Sequence, residues 1–272
     1  MLQEKRRSIL SIIGAAATLG AGSALMPVTA TAQNNGDENA CAGLPSHAAL
    51  ESALKAAQGQ DNGGFGLHMW GSIVNRDGVV CAVAFTGENR GDQWPGSRVI
   101  SAQKANTANA FSLPGLALST ANLWAAVQPG GSLYGLQHSN PVSTEVAYQG
   151  PAQSFGTADD PMVGQRIGGV NVFGGGLALY NQQGRLLGAI GVSGDTSCAD
   201  HNIAWRTRNR LRLDWVPAGV SADNDDNINY QDIVPDPSLE HDFSHPICAI
   251  AGEDTVSNIS ESLPKVRRNE DD

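Results

Sequence analysis

Two apolar hairpins and four helix-like stretches predict an α+β fold, an antiparallel sheet built from two hairpins and covered by helices. The first hairpin spans residues 67–86, where apolar runs at 67–75 and 79–85 meet at Arg76-Asp77-Gly78. An Asp-Gly turn between two apolar runs is a strong short-range hairpin signal. The second spans 170–193, with glycine-rich apolar runs at 170–180 and 185–192 around Asn181-Gln182-Gln183-Gly184. Around the hairpins, apolar residues recur at helical spacing over 44–58, and capping residues and Pro-Gly breakers bound the other helix-like stretches.

In chain order, the first 32 residues read as an export signal. Lys5, Arg6 and Arg7 precede a weakly apolar segment, and Ala30-Thr31-Ala32 supplies an A-x-A cleavage site. The paired arginines before Ser8-Ile9-Leu10 suggest the twin-arginine route. Residues 33–43 are polar and are expected to be flexible. Ser46 is placed to cap a helix over 44–58, in which Leu50, Leu54 and Ala57 share one face. After the first hairpin, Ser97 or Ser101 is placed to cap a helix over 98–111, and Pro114-Gly115 ends it. Ser119 or Thr120 would cap a second helix over 118–127, closed by Pro129-Gly130-Gly131. Residues 139–166 carry three prolines and three glycines and read as one long loop. Loops of that length inside a domain are functional or cover an edge. Asp195 or Thr196 is placed to cap a closing helix that runs to about Arg210, whose late arginines suit a helix C-terminus. Residues 216–252 turn polar and proline-rich, an extended arm, and 253–272 read as a disordered tail. The folded domain is thus expected over 44–215.

Loss of residues 1–32 removes Lys5, Arg6, Arg7 and Glu4, leaving 14 basic against 26 acidic residues and a net charge of −12. A field of that sign repels nucleic acid and anionic membrane. No other segment approaches a membrane span. Cys41, Cys81, Cys198 and Cys248 all lie in the exported part. An even count in an oxidising compartment suggests two disulfides. Three pairings are open, and Cys198–Cys248 is preferred because it would tie the tail to the body. These features place the protein in the periplasm or outside the cell.

The chemistry-bearing candidates are few. Gly174-Gly175-Gly176 lies between apolar residues and is followed by a second strand, not the helix and lysine of a phosphate loop. Glycines in a strand mark close approach, here by a packed helix, a neighbouring subunit or a flat ligand. His241, His245 and Cys248, with Cys198 and His201, offer the ligand types zinc takes. An exported cysteine pair is more often a disulfide, and these histidines lie in the arm. His68 reads as packed or exposed, and His138, at the mouth of the long loop, is the best-placed axial-ligand candidate. Ser193 lies in a G-x-S-G-D run that lacks the second glycine of a nucleophile elbow. Asp159-Asp160 and Asp225-Asp226 sit in polar stretches and read as solvated. No catalytic residue is assigned.

Five segments in order carry a resemblance. They are Asp77-Gly78, the run Ser101 to Ala108 (SAQKANTA), the run Pro129 to Leu136 (PGGSLYGL), Phe173-Gly174-Gly175-Gly176, and the run Gly188 to Gly194 (GAIGVSG). Over residues 44–210 the chain resembles the GlcG/HbpS family of haem-binding proteins. The resemblance implies an α+β domain with a profilin-like layer arrangement, assembly into homo-oligomers, and haem as cofactor in some exported members. It also implies a sensor protein as a possible partner. The family's K-A-x-T-A signature falls on Lys104, Ala105, Thr107 and Ala108. With Phe173 and Gly174 to Gly176, these become the expected ligand-facing positions. Haem asks for an apolar slot, an axial ligand and cations for its propionates. Leu113, Leu116, Leu123 and Phe173 are available as walls, His138 or Thr107 as iron ligand, and Lys104 or Arg98 as propionate partner. The implied function is an exported haem carrier, buffer or accessory to haem or iron sensing. The alternatives are a non-catalytic oligomeric or small-ligand module without haem, and an enzyme acting on a small acid or degrading haem. The long loop, the four cysteines and the arm after Trp215 depart from the short family members.

Overall fold

The computed structural model describes residues 40–89, 91–231, 243–248, 259 and 262–268. The export signal and His241 lie outside them. Helix α1 (His47–Gln58) begins where Ser46 Oγ accepts from Ala49 N, as its N-cap position predicts. Strands β1 (Trp70–Asn75) and β2 (Val80–Phe85) form the first hairpin, with Gly78 at φ +74° in the turn. Helix α2 (Ser97–Phe111) follows. Two short helices, α3 (Leu136–Ser139) and α4 (Thr144–Ala147), precede the second hairpin, β3 (Gly176–Tyr180) and β4 (Leu186–Ser193). Helix α5 (Ser197–Arg210) is capped by Thr196, whose side chain accepts from Ala199 N. Strands β5 (Asn229–Gln231) and β6 (Ser244–Pro246) make a small parallel pair.

The main sheet has the order β2-β1-β4-β3, all antiparallel, so the two hairpins join through β1 and β4. Alternation divides its residues between two faces. Trp70, Val74 and Ala189 face α2, packing with Val99, Ala102 and Ala105. Ile73, Ile190 and Val192 face α1 and α5, packing with Leu50, Leu54, Ile203 and Trp205. The result is a helix–sheet–helix sandwich. Gly191 is required where α2 crosses β4, because a Cβ there would run into Ser101 O and Ala105 N.

Several expectations are corrected. Residues 118–127 are not a helix but two 3-10 turns, Ala121–Leu123 and Ala125–Val127. Their polar side chains bond elsewhere: Ser119 N and Oγ donate to Asn122 Oδ1, and Thr120 Oγ1 donates to Phe173 O while accepting from Gly176 N. Such bonds compete with helix formation. Neither Ser97 nor Ser101 caps α2. The N-cap is Gly96, and Ser101 Oγ donates to Arg98 O and shares a 2.8 Å bond with Ser72 Oγ. The second hairpin starts at Gly176 rather than residue 170, because Gly175 at φ +112° interrupts the extended chain. The long loop lies along the edge of β2, with Val80 N donating to Gln165 O and Gly164 N to Val80 O. Asp160, expected in solvent, is buried within that loop and accepts from Nε and Nη2 of Arg98, whose Nη1 donates to Ala147 O. Asp226, likewise expected in solvent, is buried against Arg208 at 2.6 and 2.7 Å, and Asp225 is buried beside it. Residues 262–268, expected in a disordered tail, pack on the core: Leu263 joins the α1–α5 cluster, Trp205 Nε1 donates to Pro264 O, and Arg267 pairs with Asp214. Both disulfides form, Cys41–Cys81 and Cys198–Cys248.

Candidate functional site

The residues singled out from the sequence fall into three places. Lys104 and Gly174 to Gly176 meet in the interior. Lys104, 1% exposed, donates to Asp200 Oδ2 at 2.6 Å and to Val192 O at 3.0 Å. Asp200 accepts from Asp195 N through its other oxygen. Burial pushes the Lys104 amine down and the Asp200 carboxyl up to about 6, with each partner's charge opposing the other's shift. The glycines make room for this knot. A side chain at Gly174 would meet Ser197 and His201, at Gly175 it would meet Asp200 and Lys104, and at Gly176 it would meet Thr120 and the backbone of Lys104. What approaches the triple glycine is therefore α2, the first turn of α5, Thr120 and the carbonyl of Val192 on β4.

Thr107 stands one turn further along α2. Its hydroxyl donates to Gln103 O and accepts from Asn171 N, which pins the 170–173 segment against the helix. Asn106 Nδ2 donates to Gly169 O on the same side. Phe173 and His138 lie at the surface, Phe173 at 48% exposed. Arg98, proposed for a propionate, is buried in its pair with Asp160, and Lys104 is equally enclosed, so neither reaches the surface.

The outer end of α2 carries an apolar strip. Phe111, Leu116, Leu133 and Leu136 are half-buried against Leu123, Val170 and Val172. Exposed Leu113 and Tyr134 adjoin these residues in sequence, and His138 follows Leu136 on α3. Val170 N donates to Asn140 O, so α3 is held to the 170–173 segment. Two cations missed in the sequence lie near this end. Exposed Arg76 donates to Asn109 of α2, and exposed Arg166 donates to Asp77 O at the hairpin turn. Only the fold brings them beside α2. A separate polar group sits at the start of α5, where Ser197 Oγ bonds His245 Nε2 at 2.8 Å beside the Cys198–Cys248 bridge.

The family model described as haem degrading protein HbpS-like matches residues 46–208, which contain the sheet, α1, α2 and almost all of α5. The chain belongs to the HbpS-like family. Among solved structures, it is similar to a PduOC–heme complex at 23% identity, covering 61% of this chain and 93% of that chain, with TM-score 0.42. It is also similar to protein ORFY of Klebsiella pneumoniae, at 24% identity over 61% of this chain and 90% of that one, TM-score 0.41. HbpS matches at 20% identity over 61% and 86%, TM-score 0.33. No curated protein matches the chain. The match ends before the disulfide-tied segment 243–248 and residues 262–268. No helix among the described residues is long and apolar enough to cross a membrane.

Proposed function

We propose that this HbpS-like protein binds haem outside the cytoplasm, as a carrier, buffer or accessory to haem or iron sensing. The observation that carries the reading is the apolar strip at the outer end of α2 with His138 beside it. A macrocycle needs apolar surface, a ligand atom and nearby cations. The half-buried Phe111, Leu116, Leu133 and Leu136 supply the first. Exposed His138 supplies the second; the other candidate, Thr107, is buried with its hydroxyl donating to Gln103 O and accepting from Asn171 N. Arg76 and Arg166 replace Lys104 and Arg98 as propionate partners, because the latter two are committed to buried carboxylates. Lys104 and the triple glycine act from beneath by holding α2, β3 and α5 together, and Phe173, exposed at the surface, is a further apolar contact. Bound haem would bring redox-active iron to this surface. The rest of the reading is export by the twin-arginine signal over 1–32, residence in the periplasm or medium, and assembly into a homo-oligomer that engages a sensor protein.

The test is haem titration of the oxidised protein without residues 1–32, with native mass measured in the same buffer. A shifted Soret band saturating at stoichiometric haem is expected, and His138→Ala should weaken it at least tenfold, roughly the loss of one good ligand interaction. No Soret change at stoichiometric haem overturns the reading. A ligand-free oligomeric module then becomes the account, and it already has one observation in its favour: the triple glycine is fully used by packing within the chain.

A further inference from the structure

The start of α5 holds a cluster that the haem reading does not use. One ligand atom from each of Cys198, His245 and Cys248 lies within 4.8 Å of the others. Cys198 and His245 are buried, and Cys248 is half-buried. The two cysteines are joined as a disulfide, with no free cysteine in the chain. His245 Nδ1 faces Pro246 O at 2.7 Å, and Nε2 faces Ser197 Oγ. A carbonyl accepts only, so Nδ1 carries the proton and Nε2 presents a lone pair. A ligating histidine is usually oriented in this way, with its far N–H on a backbone carbonyl. Cys248 Sγ accepts from Cys198 N at 3.2 Å, in the first turn of α5. A thiolate at a helix N-terminus is stabilised by that N–H and by the helix dipole.

We propose that reduction of Cys198–Cys248 converts this bridge into a zinc site formed by Cys198, Cys248 and His245, with solvent as the fourth ligand. A dithiol reductant delivers two electrons and two protons. The S–S bond breaks, each sulfur takes one proton, and the reductant leaves as its own disulfide. Zinc binding then displaces both thiol protons to buffer, and the ion accepts a lone pair from each thiolate and from His245 Nε2. Two thiolates and an imidazole suit zinc. Ser197 Oγ gives up its bond to Nε2 and keeps the one it accepts from Gly174 N at 2.7 Å. The consequence is a tie between β6 and α5 in both redox states, covalent when oxidised and through the ion when reduced.

The experiment uses the full exported chain, oxidised or reduced with a phosphine, then exposed to zinc or cobalt(II) and freed of excess ion by gel filtration. Metal content, cobalt–thiolate charge-transfer bands and near-ultraviolet circular dichroism are read. The reduced protein should retain stoichiometric metal and show the thiolate bands, while the oxidised protein should retain none. Cys41→Ser/Cys81→Ser, which leaves only the bridge in question, should retain metal as wild type does in each redox state. Cys198→Ser/Cys248→Ser should bind none. His245→Ala should weaken retention at least about tenfold, the scale set by loss of even an outer-shell partner. Equal retention by oxidised protein or by the Cys198/Cys248 variant overturns the proposal. So does absence of metal from natively folded reduced protein, or a reduced chain that unfolds and is not restored by zinc.

Discussion

Replacing Lys104 by methionine tests whether the polar knot under the glycines holds the layers together. The substitution keeps most of the volume but leaves the Asp200 carboxylate, 3% exposed at its side chain, without its 2.6 Å partner. Removing one member of a buried pair costs about 3–5 kcal/mol, because the other charge stays desolvated. For a domain of 150–250 residues that corresponds to a fall in Tm of roughly 6–20 °C. The cost depends on pH in a defined direction. Asp200 already sits up at about 6 against its usual 3.8, raised by burial and held down by Lys104. Without the lysine it rises further. A carboxyl whose folded pKa exceeds its unfolded value contributes stability at low pH and loses it as pH rises through the folded value. The deficit of Lys104→Met is therefore smallest near the unfolded pKa of Asp200 and widens toward neutrality. Urea unfolding of the oxidised protein across that range measures it. The double variant Lys104→Met/Asp200→Leu should recover much of the loss, since an apolar replacement of a buried pair is often neutral. A single variant within about 1 kcal/mol of wild type at neutral pH, or a deficit independent of pH, would refute the reasoning; the threshold is well below the buried-pair scale.

Gly191→Ala drives a methyl into Ser101 O and Ala105 N, both backbone, so α2 must shift; a loss of about 1–3 kcal/mol is expected in denaturant unfolding, and an unchanged midpoint would contradict the packing. Cys41→Ser/Cys81→Ser opens a loop of 40 residues, which by chain entropy is worth roughly 4 kcal/mol; comparison with wild type at constant oxidation measures it. His201 and His245 are held by burial at about 3 and about 4, below their usual 6.5. Protonation then favours the unfolded chain, so stability present above pH 6.5 is lost as pH falls toward the folded values, by up to about 1.4 kcal/mol per pH unit for each histidine. His201→Phe should flatten this acid limb, and a limb of the same steepness would argue against His201 as its source.

The sequence by itself determined the two hairpins, α1 with its Ser46 cap, α5 with a cap at Asp195 or Thr196, and the family, because each rests on local chemistry: an Asp-Gly turn, a hydroxyl before an apolar period, a run such as GAIGVSG. It also pointed to the Cys198–Cys248 pair. It did not determine which charges are inside. Asp160 and Asp226 stand among polar neighbours in the chain, and only the return of the long loop over Arg98 and of the arm over Arg208 buries them. Lys104 and Arg98 are available as propionate partners in the sequence and lost to buried carboxylates in the fold, while the exposed cations beside α2, Arg76 and Arg166, come from a hairpin turn and a distant loop. The triple glycine marked a close approach, but the identity of the approaching group was a tertiary matter. Close packing depends on which backbones cross, and Gly174 to Gly176 are met by Lys104 and Thr120 from earlier in the chain and by Ser197, Asp200 and His201 from later in it, which only the fold brings together.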